Sequence, residues 1–194
     1  MSRAQLARFR RVFSREEVRS ITRRYFVANG FDGTLTSIGV VVGTYLAGVT
    51  DGVAVIGIGL GAAVGLGTSG VWSVWEIERA EALAQRRRVE ASMLTDLEGT
   101  RIERDQRTAQ IIHATASATG PVFAILLTLT PFLLVNVVLT LAQAVVVSVL
   151  LGIGILATFG AYMGSISEQR WYVTAVRMGL AGVVVAAINV FLPG

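Results

Sequence analysis

The sequence contains no cysteine and no lysine, and a single histidine, His113. The first absence removes disulfides, thiolate metal sites and cysteine nucleophiles. The second removes the phosphate loop that needs a lysine, and neither a zinc-protease histidine pair nor a serine elbow occurs, so an enzyme of a soluble type has no foothold. Charge is scarce too, with Asp, Glu, Lys and Arg together at 15% of 194 residues. What fills the chain is apolar, at 53% with 21 glycines, and the mean hydropathy is +0.64. Soluble domains rarely look like this. Frequent glycine within apolar stretches lets helices approach closely in lipid.

All 17 basic residues are arginine. They gather at Arg3 to Arg24, at Arg79 to Arg107, and at Arg170 with Arg177, each cluster flanking an apolar run. A nucleic-acid partner would want one continuous basic face, so none is expected.

Residues 1–24 predict an amphipathic helix lying on the inner membrane surface, with Leu6, Phe9, Phe13, Val18 and Ile21 on one side. The apolar stretch that follows is too long for the core of a signal peptide. Residues 25–75 predict two spans, Tyr25 to Val49 and Val53 to Trp75, joined by a tight turn at Thr50-Asp51-Gly52. Each is long enough for a hydrocarbon core of about 30 Å. Asn29, Gly30, Asp32 and Gly33 interrupt the first span, and Trp72 and Trp75 stand at the depth of an aromatic belt.

In residues 76–117 acids alternate with arginines while Leu83, Val89, Met93, Leu94, Leu97, Ile102, Ile111 and Ile112 keep a helical rhythm. Two amphipathic helices joined near Gly99, outside the bilayer, fit that pattern. Residues 118–194 predict three more spans: Thr119 to Val138, kinked by Pro131; a fourth ending near Met163; and Trp171 to Leu192. The expected fold class is an all-α integral membrane protein, with five transmembrane helices and an amphipathic cytoplasmic helical hairpin between spans two and three. Arginines on one set of loops, against Asp51 alone on the other, place the N-terminus in the cytoplasm and the C-terminus outside.

An acid about two turns into an apolar span is costly unless it faces protein, water or a cation, which singles out Asp32. Asn29, Thr34, Thr36 and Ser37 offer further oxygens, and Gly30 and Gly33 would loosen the helix to free carbonyls for a cation. Oxygen donors suit manganese or ferrous iron better than cuprous ion. The competing reading pairs Asp32 with Arg23, Arg24 or Arg177. In the hairpin, Glu78 and Glu81 share a helical face with Glu76 nearby, a spacing that clasps one divalent ion. Asp96, Glu98, Glu103 and Asp105 would add ligands if the hairpin folds back; the plainer alternative is a solvated face paired with its own arginines. His113 beside Ile111 and Ile112 reads first as a structural residue.

The run from Arg24 to Thr36, with Asn29-Gly30-Phe31-Asp32-Gly33-Thr34-Leu35-Thr36 at its centre, resembles the opening of the vacuolar iron transporter family. Glu76-Ile77-Glu78-Arg79-Ala80-Glu81 looks like that family's acidic motif after the second span, and Thr130-Pro131-Phe132-Leu133-Leu134 resembles its third. The resemblance implies a homodimer exporting ferrous iron or manganese from the cytoplasm in exchange for protons, while size and arginine usage point to a prokaryotic cell membrane. It carries no resident cofactor, with metal ligands drawn from Asp32, Asn29, Glu76, Glu78, Glu81 and Glu98. Counted back without gaps from Glu78, the family's second-span methionine and glutamate fall on Ala63 and Gly67. A non-transporting scaffold or sensor that binds a partner through residues 76–117, or a passive ion channel, are the rival expectations.

Overall fold

The computed structural model describes residues 3–93 and 100–191. In chain order its helices are α1 (Arg3–Phe13), α2 (Glu16–Leu46), α3 (Gly52–Met93), α4 (Arg101–Leu129), α5 (Leu141–Ile166) and α6 (Trp171–Phe191), with a 3-10 turn at Thr130–Leu134. Five of these helices are long and apolar enough to cross a membrane. Large apolar side chains such as Val64, Phe123, Leu150, Val176 and Val184 stand exposed around them. So much apolar surface is a lipid-facing belt, and the protein is a multi-pass membrane protein.

Length decides where the membrane ends. Helix α3 has 42 residues, about 63 Å, roughly twice what the hydrocarbon core needs. Its first half is apolar down to Trp75, whereas every charge it carries lies from Glu76 onward, so the second half stands outside the bilayer. The charged start of α4 runs beside it: Gln106 Nε2 donates to Gln85 Oε1 at 3.4 Å, and Arg86 lies 3.8 Å from Glu103. Residues 24, 75 and 117, expected as segment boundaries, therefore fall inside continuous helices, and the external pieces are extensions of the spans themselves.

Two local expectations differ from what is found. Helix α2 runs unbroken through Asn29, Gly30, Asp32 and Gly33. The glycines serve contact: a Cβ on Gly33 would lie 2.5 Å from Pro121 Cα, and one on Gly30 would lie 2.8 Å from the Phe159 ring. Their missing side chains let α2, α4 and α5 meet at near-backbone distance. Pro131, expected to kink a helix, instead ends α4 and sits at the start of the 3-10 turn. Its absent N–H and its ring stop the α-helical pattern, and no following helix has to be continued.

In the bilayer the bundle is fastened by small hydroxyls. Ser37 and Thr128 hydrogen-bond to each other between α2 and α4, and Ser148 on α5 donates to the Thr128 carbonyl at 2.6 Å. All three are buried. At the charged end, α1 and the start of α2 fold against α4 through Val12, Val18 and Ile112.

Candidate metal-gathering cleft

The charged ends of α2, α3 and α4 enclose an open polar cleft of about 540 Å³. Carboxylates line it from three helices: Glu17 on α2, Glu78 and Glu81 on α3, and Asp105 on α4, with His113 deeper on α4 and Arg15 and Arg101 at its rim. Spacing brings the α3 pair together, since residues three apart share a helical face. Helix packing supplies the rest.

Glu78 is the best-held of these groups. Tyr25 Oη donates to its Oε1 at 3.1 Å, and Gln110 Nε2 donates to its backbone carbonyl at 3.4 Å. His113 Nδ1 stands 2.9 Å from Glu78 Oε2. That approach is off the line of a good hydrogen bond, because neither ring nitrogen of the buried His113 finds an aligned partner among the described residues. We treat it as an electrostatic contact between α3 and α4. Burial pushes the Glu78 carboxyl up, but His113, the Tyr25 hydroxyl and the Arg24 charge outweigh it and hold the group below its ordinary value.

Linkage gives the sign. A carboxyl whose folded value is lowered stabilises the fold fully above its ordinary 4.5, and loses that contribution as pH falls through the lowered value. Melting temperatures measured from about pH 6 down to about pH 3 should therefore decline on the acid side, and Glu78→Gln should flatten the decline. An unchanged acid limb in the variant would remove Glu78 from the stabilising contacts.

Asp105 is the other buried acid of the cleft, at 3% exposure. Its Oδ2 is held by Arg15, from the joint between α1 and α2, while Oδ1 has no partner among the described residues. A buried carboxylate oxygen without a partner is costly, which makes the Arg15 contact the one that holds Asp105 in place.

The remaining expected residues lie elsewhere. Asn29 donates to Ser117 Oγ at 2.6 Å, and Ser117 donates to the Gly70 carbonyl at 3.0 Å, so Asn29 ties α2 to α4 and α3. Glu76 is exposed and lies 3.7 Å from Arg79, outside the cleft. Glu98 and Asp96 lie outside the described residues. Asp32 is exposed on α2 and does not line the cleft. No three acids or histidines converge on one point among the described residues. Ala63 and Gly67 are both buried against α4: Ala63 is packed in the Val41, Ile125 and Leu129 cluster, and a Cβ on Gly67 would lie 2.9 Å from Val122.

The sequence pattern singled out Glu78 and Glu81 but not Glu17 or the buried pairing of Asp105. Glu17 sits in a segment that looked like a surface helix, and its place in the cleft follows only from the way α2 begins at Glu16.

The bundle and cleft define a class, a polytopic membrane protein with an acidic site at the mouth of its spans. Residues 70–193 match the VIT family, well over half of the chain, and the chain belongs to that family. It is also similar to an uncharacterized protein of Methanocaldococcus jannaschii, 27% identical over 172 residues, or 87% of this chain and 86% of that one. Membership makes it a membrane protein of a metal-transporting family, and the archaeal relative fits a divergent prokaryotic branch.

Proposed function

We propose that the protein exports ferrous iron or manganese from the cytoplasm in exchange for protons, capturing metal in the cleft and passing it along Asp32. The observation that carries this is the cleft itself, which Glu17, Glu78, Glu81 and Asp105 line from three helices at the arginine-rich end of the bundle. By the positive-inside rule that end is cytoplasmic. Oxygen donors with one imidazole suit hard or borderline divalent ions. A carboxylate that holds either a cation or a proton gives an exchange step, since protonation removes the charge that held the metal.

The homodimer belongs to the same proposal. Asp32 faces outward from a single chain, and an acid in the bilayer needs protein, water or a cation beside it. A second copy supplies that cover. On α3, Gly57, Gly61 and Gly65 lie one turn apart and have nothing within 4 Å of a Cβ built on each, which is the surface two helices use for close contact in lipid.

The test is uptake of Fe²⁺ and Mn²⁺ into proteoliposomes, with and without a proton gradient. A Glu78→Gln/Glu81→Gln variant should need at least about tenfold more metal for half-maximal uptake, with saturating flux retained. Flux indifferent to the gradient would make the protein a channel. No flux under any gradient would end the transport reading in favour of a scaffold or sensor.

A further inference from the structure

A second recess takes its α2 lining from Arg19, Thr22, Arg23 and Phe26, none of which lines the acidic cleft. At the arginine-rich end of the bundle, Arg19, Thr22, Arg23 and Tyr162 surround a cavity of about 300 Å³, floored by Phe26 and bearing no carboxylate. Phe26 also heads a second, apolar groove of about 600 Å³, lined by Phe123, Leu127, Leu150, Gly154 and Phe159 among others. The two recesses adjoin at Phe26, the one residue that lines both: a basic, hydroxyl-bearing head lies on one side of it and an apolar channel on the other. From Phe159 to Val147 the groove follows α5 for 12 residues, about 18 Å, close to the roughly 15 Å depth of one leaflet's hydrocarbon.

Arg19 and Arg23 are one turn apart, and neither meets a carboxylate among the described residues. Other arginines at this end, such as Arg10, Arg11 and Arg24, also meet no carboxylate among the described residues, and what sets Arg19 and Arg23 apart is that both line one cavity with Tyr162. Two unneutralised guanidiniums at headgroup depth, beside a hydroxyl donor from Tyr162, form a receptor for a phosphodiester. The apolar channel beneath gives the acyl chain a protein wall in place of neighbouring lipid. Gly154 keeps that channel open, since a Cβ built there meets nothing within 4 Å.

We propose that this composite recess binds one anionic phospholipid of the arginine-side leaflet, its phosphate on Arg19 and Arg23 and one acyl chain in the α4–α5 groove. The charge of the head selects an anionic lipid over a zwitterionic one, and the groove selects a chain-bearing lipid over free phosphate. The proposal stands whether or not the protein moves metal. A helix of a second copy is the other occupant an apolar groove admits, and the test distinguishes it.

Purified protein in mild detergent is titrated with phosphatidylglycerol and with phosphatidylcholine of the same chains, and bound lipid is read by native mass spectrometry. Wild type should retain phosphatidylglycerol preferentially, one per chain. Arg19→Gln/Arg23→Gln should weaken that retention at least about tenfold, with phosphatidylcholine little changed; Arg3→Gln/Arg8→Gln, remote from the recess, should change neither. Gly154→Leu, whose Cβ meets nothing within 4 Å and whose branched end extends into the groove, should weaken retention of both lipids at an unchanged melting temperature. Equal retention of the two lipids by wild type, or an arginine variant that binds as wild type does, overturns the proposal. So does a Gly154→Leu variant that retains lipid but changes oligomeric state, which would make the groove a protein interface. Should Gly154→Leu fail to fold, the arginine variant decides alone.

Discussion

Asp32→Asn is expected to cut proton-driven Fe²⁺ or Mn²⁺ uptake into proteoliposomes by at least about tenfold, while the melting temperature stays the same or rises. The fold does not need the Asp32 carboxylate. Asp32 is exposed on α2, and none of the ion pairs or hydrogen bonds among the described residues engages it. The pairing with Arg23, Arg24 or Arg177 that would make it structural is not formed. An aspartate in a span is disfavoured by about 3 kcal/mol at the bilayer centre and less toward the interface. Asparagine keeps the shape and removes the charge, so it relieves that cost and cannot exchange a cation for a proton. The same uptake, with the same pH dependence, in Asp32→Asn would exclude it as the membrane ligand. A variant that loses flux together with its fold would instead make it structural.

How much of this was legible beforehand depends on the range of the interaction. The span count, the turn before α3 and the extramembrane stretch after Trp75 follow from hydropathy and charge, which are local, and the structure has five such helices. The expected break at Asn29 to Gly33 failed because the sequence shows that glycine is present but not what approaches it. Here the partners are Pro121 and Phe159, about ninety or more residues away in the chain. The partner of Asn29 was hidden for the same reason: its amide finds Ser117, 88 residues on. Glu78 and Glu81 were legible from their spacing on one helix. Glu17 was not, and Asp105 was legible only as a residue that a folded-back hairpin would add, because their convergence depends on how α2, α3 and α4 pack. His113 looked structural, and its contact with Glu78 agrees, although it also lines the cleft.

The glycines of α3 and α4 should separate into two kinds under mutation, and the contrast tests the dimer independently of transport. Gly120 belongs to the first kind: a Cβ there would fall well under 3.0 Å from the Phe26 carbonyl oxygen and about 3.0 Å from the Gly30 nitrogen. Those are backbone atoms of α2, which cannot rotate away. Gly120→Ala must push α2 and α4 apart, opening the contacts that hold Ser37 to Thr128 and Asn29 to Ser117. Overpacking of this sort costs about 3 kcal/mol, so the melting temperature in detergent should fall on the order of 10 °C. Gly61 belongs to the second kind, with nothing near its Cβ within the chain. Gly61→Leu should leave the melting temperature of the protomer unchanged, yet weaken dimerisation at least about tenfold, since a branched side chain holds two helices off the close contact that glycine permits. Light scattering across a detergent dilution series reads the second effect and thermal unfolding the first. If Gly61→Leu leaves the dimer intact, the α3 stripe faces lipid alone, and the cover for Asp32 must come from another surface. If Gly120→Ala melts like wild type, the close approach of α2 and α4 is not what fixes the bundle.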